Sequence, residues 1–166
     1  MQSAGEGMRA ALLTISTSRA GGVGPDESGE RLAAFALRLG VEVAGAEVIP
    51  DRRSLIEERL RHWADDASCE LILTSGGTGF SPTDVTPEAT RAVIDREAPG
   101  IAEAMRDASR EHTANWMLSR AVAGIRGSTL IVNFPGAPRS IDEAGAALAA
   151  ALPHALRLLS GVDARH

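Results

Sequence analysis

The sequence contains no lysine, because all seventeen of its basic residues are arginine. The phosphate-binding lysine of a G-x-x-x-x-G-K-[ST] loop therefore cannot exist here, and that class of nucleotide site is excluded. Aromatic residues make up only 3% of the chain and the formal net charge is −5, which argues against nonspecific binding to nucleic acid or to an anionic membrane. A lone Cys69 permits no internal disulfide; beside an apolar run it reads as a small buried filler, and a reducing cytoplasm fits it. The four histidines, His62, His112, His154 and His166, show no metal-ligand spacing with one another or with Cys69, so zinc is not expected, and no Ser-His-Asp arrangement is visible. The most apolar stretch, 144–159, carries Pro153, His154 and Arg157 and is too short and interrupted to span a bilayer. Residues 1–7 lack the charged and apolar regions of a signal peptide and read as a loose tail, with 8–166 as one domain.

What is present concentrates in 71–90, LILTSGGTGFSPTDVTPEAT. Leu71-Ile72-Leu73 has the uncharged apolar character of a strand covered on both faces. It runs into Gly76, Gly77 and Gly79, where the backbone can take positive φ and present its N–H groups to an anion. Thr86, Pro87 and Glu88 read as N-cap, first helical position and first-turn acid. The unit is strand, glycine loop, helix, with Asp84 inside the connection. A backbone phosphate cradle beside an acid suits magnesium-phosphate chemistry, since Mg²⁺ is commonly held by one or two carboxylates plus substrate phosphates. The plainer alternative is a tight glycine turn with an ordinary loop acid.

Taken in order, 8–15 reads as a buried strand that exits into a polar cluster containing Ser16, Thr17, Ser18 and Arg19. A loop follows over 20–29 and a helix over 30–39, with Leu32, Phe35, Ala36 and Leu39 on one face. A second strand, interrupted by Gly45, stops at Pro50-Asp51, and a helix follows with Leu55, Ile56, Leu60 and Trp63 at helical spacing and its arginines on a solvated face. The Pro87 helix is expected to continue through Glu97, and Pro99 to open another. The runs 118–125 and 128–132 read as a hairpin or a tightly connected strand pair about Arg126-Gly127. Ser140 with Glu143 forms a capping box for a final alanine-rich helix that Pro153 must kink or divide.

This alternation predicts a single-domain α/β fold, a three-layer α/β/α sandwich around a mostly parallel sheet, in which ligands bind outside the carboxyl ends of the strands. Ser16 to Arg19, Asp51, Gly76 to Asp84 and Pro135-Gly136 each follow a strand, so parallel packing gathers all four on one edge. For Asp51 alone, a helix N-cap ahead of Arg52 is the competing reading.

The blocks SGGTGFSPTDVTPEAT and LSRAVAGIRGSTLIVNFPGAPRS, with the upstream IPD, together resemble the molybdopterin adenylyltransferase family of MogA and MoaB type over 9–160. The resemblance implies transfer of AMP from ATP to the terminal phosphate of molybdopterin, with Mg²⁺ required and pyrophosphate leaving. It further implies that Asp51 and Asp84 are the catalytic pair and the Mg²⁺ ligands. By the same resemblance Ser16, Ser75, Gly76, Gly77, Thr78, Gly79, Ser119, Pro135 and Gly136 line the pterin and nucleotide pocket. A homotrimer, and transient contact with an upstream pterin synthase and a downstream molybdate-inserting enzyme, belong to the same expectation. One departure stands out. Many relatives carry an aspartate in a T-x-S-D-R pattern where this chain reads Thr14-Ile15-Ser16-Thr17-Ser18-Arg19. The alternative function is a noncatalytic molybdopterin carrier, against which the presence of both Asp51 and Asp84 weighs.

Overall fold

The apolar run at the heart of the sequence becomes a central strand, β3 (Leu71–Ser75), of a six-stranded sheet in the computed structural model, which describes residues 7–161. The expected tail therefore falls, apart from Gly7, outside the described residues. The other strands are β1 (Arg9–Ile15), β2 (Glu42–Ile49), β4 (Arg96–Glu97), β5 (Ala123–Arg126) and β6 (Thr129–Phe134), in the spatial order β2-β1-β3-β6-β5-β4. Neighbours from β2 to β6 run parallel, while β5 returns antiparallel on β6 and β4 antiparallel on β5.

Both faces of the central strands are apolar, so both are covered. Ala10, Leu12, Leu71, Leu73, Leu130 and Val132 face one core, which is closed by α2 (Glu27–Arg38), α5 (Pro99–Ser109), α6 (Pro138–Leu148) and α7 (Leu152–Leu159). Ala11, Leu13, Ile72 and Ile131 face the other, beneath α3 (Arg53–Arg61) and α4 (Thr86–Val93). The three-layer sandwich is as expected, and its period-2 alternation between two buried faces is why these strands read as continuous apolar runs. One buried polar side chain ties the layers together. Asn133 donates through Nδ2 to the Thr74 and Thr90 hydroxyls at 3.1 and 3.0 Å and accepts at Oδ1 from the Val122 N–H at 3.1 Å, so β6, β3, α4 and the approach to β5 share one network. Cys69 is buried as expected, and burial pushes its thiol pKa up.

Several boundaries differ from the sequence reading. Helix α2 starts at Glu27, earlier than expected, because the Asp26 carboxylate accepts from the Gly29 N–H and supplies an N-cap inside the presumed loop. Thr17–Ala20 forms a short helix, α1, behind Ser16. Helix α4 stops at Val93, and Arg96–Glu97 is strand, because the Asp95 N–H donates to the Ile125 carbonyl and draws the chain onto the sheet edge. Thr86 is the first residue of α4, with its hydroxyl spent on the Gly76 carbonyl. No capping box forms at Ser140; α6 begins at Pro138, and Glu143 instead pairs with Arg139 and His112. The apolar run before the hairpin is strand only from Ala123, since 116–118 make a 3₁₀ turn and Arg120 bonds to the glycine loop. Gly45 does not break β2: the strand continues past it with a register shift against Ala10 and Ala11, and a Cβ there would lie 2.3 Å from the Trp63 ring. Pro153 divides the final helical region, entering the first turn of α7. Arg59 leaves its solvated face for a bidentate pair with Glu47, which holds its pKa above the usual arginine value.

Candidate active site

Four strand exits meet at the carboxyl edge of β2, β1, β3 and β6. The Ser16 N–H donates to the Ile49 carbonyl at 2.9 Å, closing the exits of β1 and β2 side by side. Ser16 caps α1, its hydroxyl accepting from the Arg19 N–H. At the next residue the Thr17 N–H and hydroxyl donate to Asp51 Oδ2 at 3.0 and 2.9 Å, and the Thr17 oxygen accepts from the Asp51 N–H at 3.0 Å. The competing reading of Asp51 as a helix cap is therefore excluded: the N-cap residue of α3 is Arg52, with no side-chain cap bond, and the Asp51 carboxylate turns to α1 instead.

That leaves Asp51 Oδ1 directed at the glycine loop, 3.2 Å from where a Cβ on Gly77 would sit. Gly76 and Gly77 have φ of +92° and +69°, a region that L side chains rarely occupy. The loop is wedged on both sides: a Cβ on Gly76 would meet the Ile15 carbonyl oxygen at 2.3 Å, and one on Gly77 the Thr86 hydroxyl at 2.3 Å. The Gly76 N–H donates to the Phe134 carbonyl and the Thr86 N–H to the Gly77 carbonyl, which fixes the loop between β6 and α4. Beyond Gly77 the chain folds back on itself. Asp84 Oδ2 accepts from the Ser81 N–H at 3.0 Å and lies 2.9 Å from the Cβ position of Gly79. Each acid thus flanks one glycine of the same loop.

Gly136 lies behind the loop, its Cβ position 3.4 Å from the Gly76 Cα, and its carbonyl accepts from the Ser28 hydroxyl at the start of α2. Ser119 and Pro135 line a neighbouring cavity of about 150 Å³, together with Met105, Arg106, Ser109 and Trp116. Thr78 is buried within the loop. Ser75, though adjacent to Gly76, is fully buried at 0% exposure and its hydroxyl has no hydrogen-bond partner among the described residues. Ser75 therefore sits beneath the loop and not on its surface. Among the described residues no three His, Cys, Asp or Glu side chains converge as a metal cage.

Arg120 is the residue that sequence reasoning passed over. Its Nε donates to the Gly79 carbonyl at 2.8 Å, its Nη2 to the Asp84 carbonyl at 2.9 Å and its Nη1 to Glu88 at 2.5 Å, while its backbone N–H donates to the Thr78 carbonyl at 2.8 Å. Hydrogen bonding from Arg120, against the opposing effect of burial, holds the Glu88 carboxyl below its usual pKa. The available signal was an arginine set between Ser119 and the extended run, where a chain without lysine had no other long cation to place.

The family described as a probable molybdopterin binding domain matches residues 11–154. The chain belongs to this family. Among relatives, it is 37% identical over 169 residues to the molybdopterin adenylyltransferase of Haemophilus influenzae, covering 93% of this chain and 86% of that one. It is 42% identical over 112 residues to the molybdenum cofactor synthesis protein cinnamon of Drosophila melanogaster, covering 68% of this chain but only 19% of that much longer protein. The crystal structure of the molybdopterin biosynthesis enzyme MoaB from a Thermus species superposes with a TM-score of 0.86 at 44% identity, covering 93% of this chain and 97% of that one. The family match spans all four strand exits and both acids.

Proposed function

We propose that this protein is a molybdopterin adenylyltransferase, moving AMP from ATP to the terminal phosphate of molybdopterin. A phosphate oxygen of the pterin attacks the α-phosphorus of ATP, the new P–O bond forms, and the bond to the β-phosphate breaks with departure of pyrophosphate. The observation that carries this reading is the glycine loop flanked by two carboxylates, Asp51 beside Gly77 and Asp84 beside Gly79. The nucleophile is already anionic, so the site needs alignment and charge stabilisation more than a strong base.

The donor set fits Mg²⁺ in the form that phosphate-transfer sites use, hard oxygen ligands from two acids with the rest supplied by substrate. Asp51 and Asp84 would hold the ion, which when bound neutralises charge on the reacting phosphate oxygens. Gly76 to Gly79 bring backbone against the phosphates, and Asp51 is oriented for the task by Thr17. The cavity between Ser119 and Pro135 is proposed to take the pterin end, and Ser16, at the exit of β1, to contribute to substrate binding from the same edge of the sheet. A homotrimeric assembly, a cytoplasmic setting and hand-over contacts with a pterin synthase and a molybdate-inserting enzyme belong to the same proposal; no helix of the described residues is long and apolar enough to cross a membrane.

Pyrophosphate release with molybdopterin and Mg-ATP tests the reading. Asp51→Asn and Asp84→Asn should each lower turnover by about 100-fold or more while molybdopterin binding persists. Tight pterin binding without adenylylation at any Mg²⁺ concentration would establish the carrier alternative instead.

A further inference from the structure

The connection from Gly79 to Asp84 has little packing to hold it. Phe80 is 69% exposed and residues 81–83 are exposed as well, so no apolar side chain within 79–83 anchors the segment ahead of the proposed catalytic Asp84, and Val85 just past it is only partly buried against the core. Polar contacts must fix it. The guanidinium of Arg120 reaches the carbonyls at both ends of the segment, Gly79 through Nε and Asp84 through Nη2, and joins them to Glu88 in the first turn of α4 through Nη1.

We infer that Arg120 is a positioning residue for Asp84, setting its carboxylate through the backbone of the 79–84 loop and not by touching substrate. The inference rests on the reading of Asp84 given above. Three of the guanidinium's donors are committed to loop and helix, and the Glu88 carboxylate balances its charge, so the group is a poor candidate for a phosphate contact. Its planar fork spans two carbonyls with fixed geometry. A lysine ammonium is a single point on a flexible stem and cannot bridge the two while also meeting Glu88. Loss of the bridge leaves contacts internal to the loop, the Ser81 N–H to Asp84 Oδ2, the Asp84 N–H to the Ser81 carbonyl and the Ser81–Thr83 hydroxyl pair, which turn with the loop and do not locate it. Misplacement of a reacting group by about 1 Å is enough to cost about 100-fold in rate.

The test is a double-mutant cycle with Arg120→Lys and Asp84→Asn, read as turnover and KM, with hydrogen exchange over 79–85 measured on the same proteins. Arg120→Lys should lower kcat by about 100-fold with KM for ATP and molybdopterin within roughly threefold of wild type. Exchange should accelerate over 79–85 while protection in β3 and β6 is retained. In the Asp84→Asn background the same substitution should cost less than about threefold, because the group it positions has already been disabled. Additive losses, or a rise in KM for ATP in place of the fall in kcat, would overturn the inference in favour of direct substrate contact. Protection lost throughout the sheet would overturn it in favour of a purely structural role. Near-normal turnover in Asp84→Asn alone would remove the reading of Asp84 and the inference with it, a result distinct from a silent Arg120→Lys beside an inactive Asp84→Asn, which removes only the inference. If Arg120→Lys does not fold, Arg120→Gln, whose amide can reach one carbonyl only, enters the cycle in its place.

Discussion

Gly77→Ala tests whether the loop's shape is fixed by close approach. Gly77 has φ +69°, and a left-handed conformation costs an L-residue about 1–2 kcal/mol. The added Cβ would also lie 2.3 Å from the Thr86 hydroxyl oxygen. That oxygen cannot withdraw freely, because Thr86 is fully buried and donates to the Gly76 carbonyl at 2.9 Å. Displacing it breaks a hydrogen bond of net value about 1 kcal/mol. The two contributions together give a destabilisation of about 2–3 kcal/mol, a fall in melting temperature of about 5–10 °C for a domain of this size. Thermal and urea unfolding of the purified variant measure it, with Gly100→Ala as control. Gly100 lies in the first turns of α5 with nothing within 4 Å of its Cβ position, so alanine there should leave stability unchanged or raise it by up to about 1 kcal/mol. Gly77→Ala should also lose most adenylyl transfer at temperatures where it remains folded, since its Cβ intrudes 3.2 Å from Asp51 Oδ1. A Gly77→Ala protein with the melting temperature and turnover of wild type would refute both the wedge and the placement of phosphates against this loop.

Three further outcomes are expected. Thr17→Val removes the hydroxyl that joins Asp51 Oδ2 and the Asp51 N–H, so pyrophosphate release should fall about 10- to 100-fold and require more Mg²⁺; an unchanged Mg²⁺ titration would show that Asp51 needs no such support. Asn133→Leu strands the Val122 N–H and two threonine hydroxyls in the core and should cost about 3–5 kcal/mol in urea unfolding, and a loss below about 1 kcal/mol would mean the network relaxes without it. Because Arg120 lowers the folded-state pKa of Glu88, the pair's stabilisation is present above the unfolded value and is lost as pH falls through the folded one. The difference in melting temperature between wild type and Glu88→Gln should therefore be greatest near neutrality and close on acidification below about pH 4.3, and a difference that widens in acid would contradict the ion pair.

The fold was legible wherever the local signal and the tertiary demand coincide. Leu71 to Leu73, with apolar side chains for two covered faces, could only be an inner strand, and Gly76 and Gly77 marked a turn that needs positive φ. Element ends were legible only in part, because they were decided by partners distant in the chain. The β4 edge is set by Asp95 meeting Ile125, and the Thr86 hydroxyl, a cap by sequence, is claimed by Gly76. In the candidate site the two acids were visible as strand-exit carboxylates, but what orients them was not. Thr17 looked like a missing aspartate, whereas in space it grips Asp51 at both backbone and side chain. Arg120 stood beside a serine picked out for the pocket, and its bonds to residues 79, 84 and 88 leave no periodic trace.

The antiparallel return of β5 against β6 changes what the sheet can offer at its working rim. In a wholly parallel sheet every segment arriving there has just left a strand, so each strand contributes one exit and nothing more. A reversed strand contributes an entrance as well. The stretch 110–122, which comes off α5 and leads into β5, thereby reaches the rim from the opposite chain direction and carries Trp116, Ser119 and Arg120 with it. Its course is set by a helix end on one side and a hairpin strand on the other, and Arg120 ties its last residues to the glycine loop. Length and composition can therefore vary over 110–118 without shifting the register of β1, β3 or β6, whereas Arg120 and Val122 are held in place by the glycine loop and by β6.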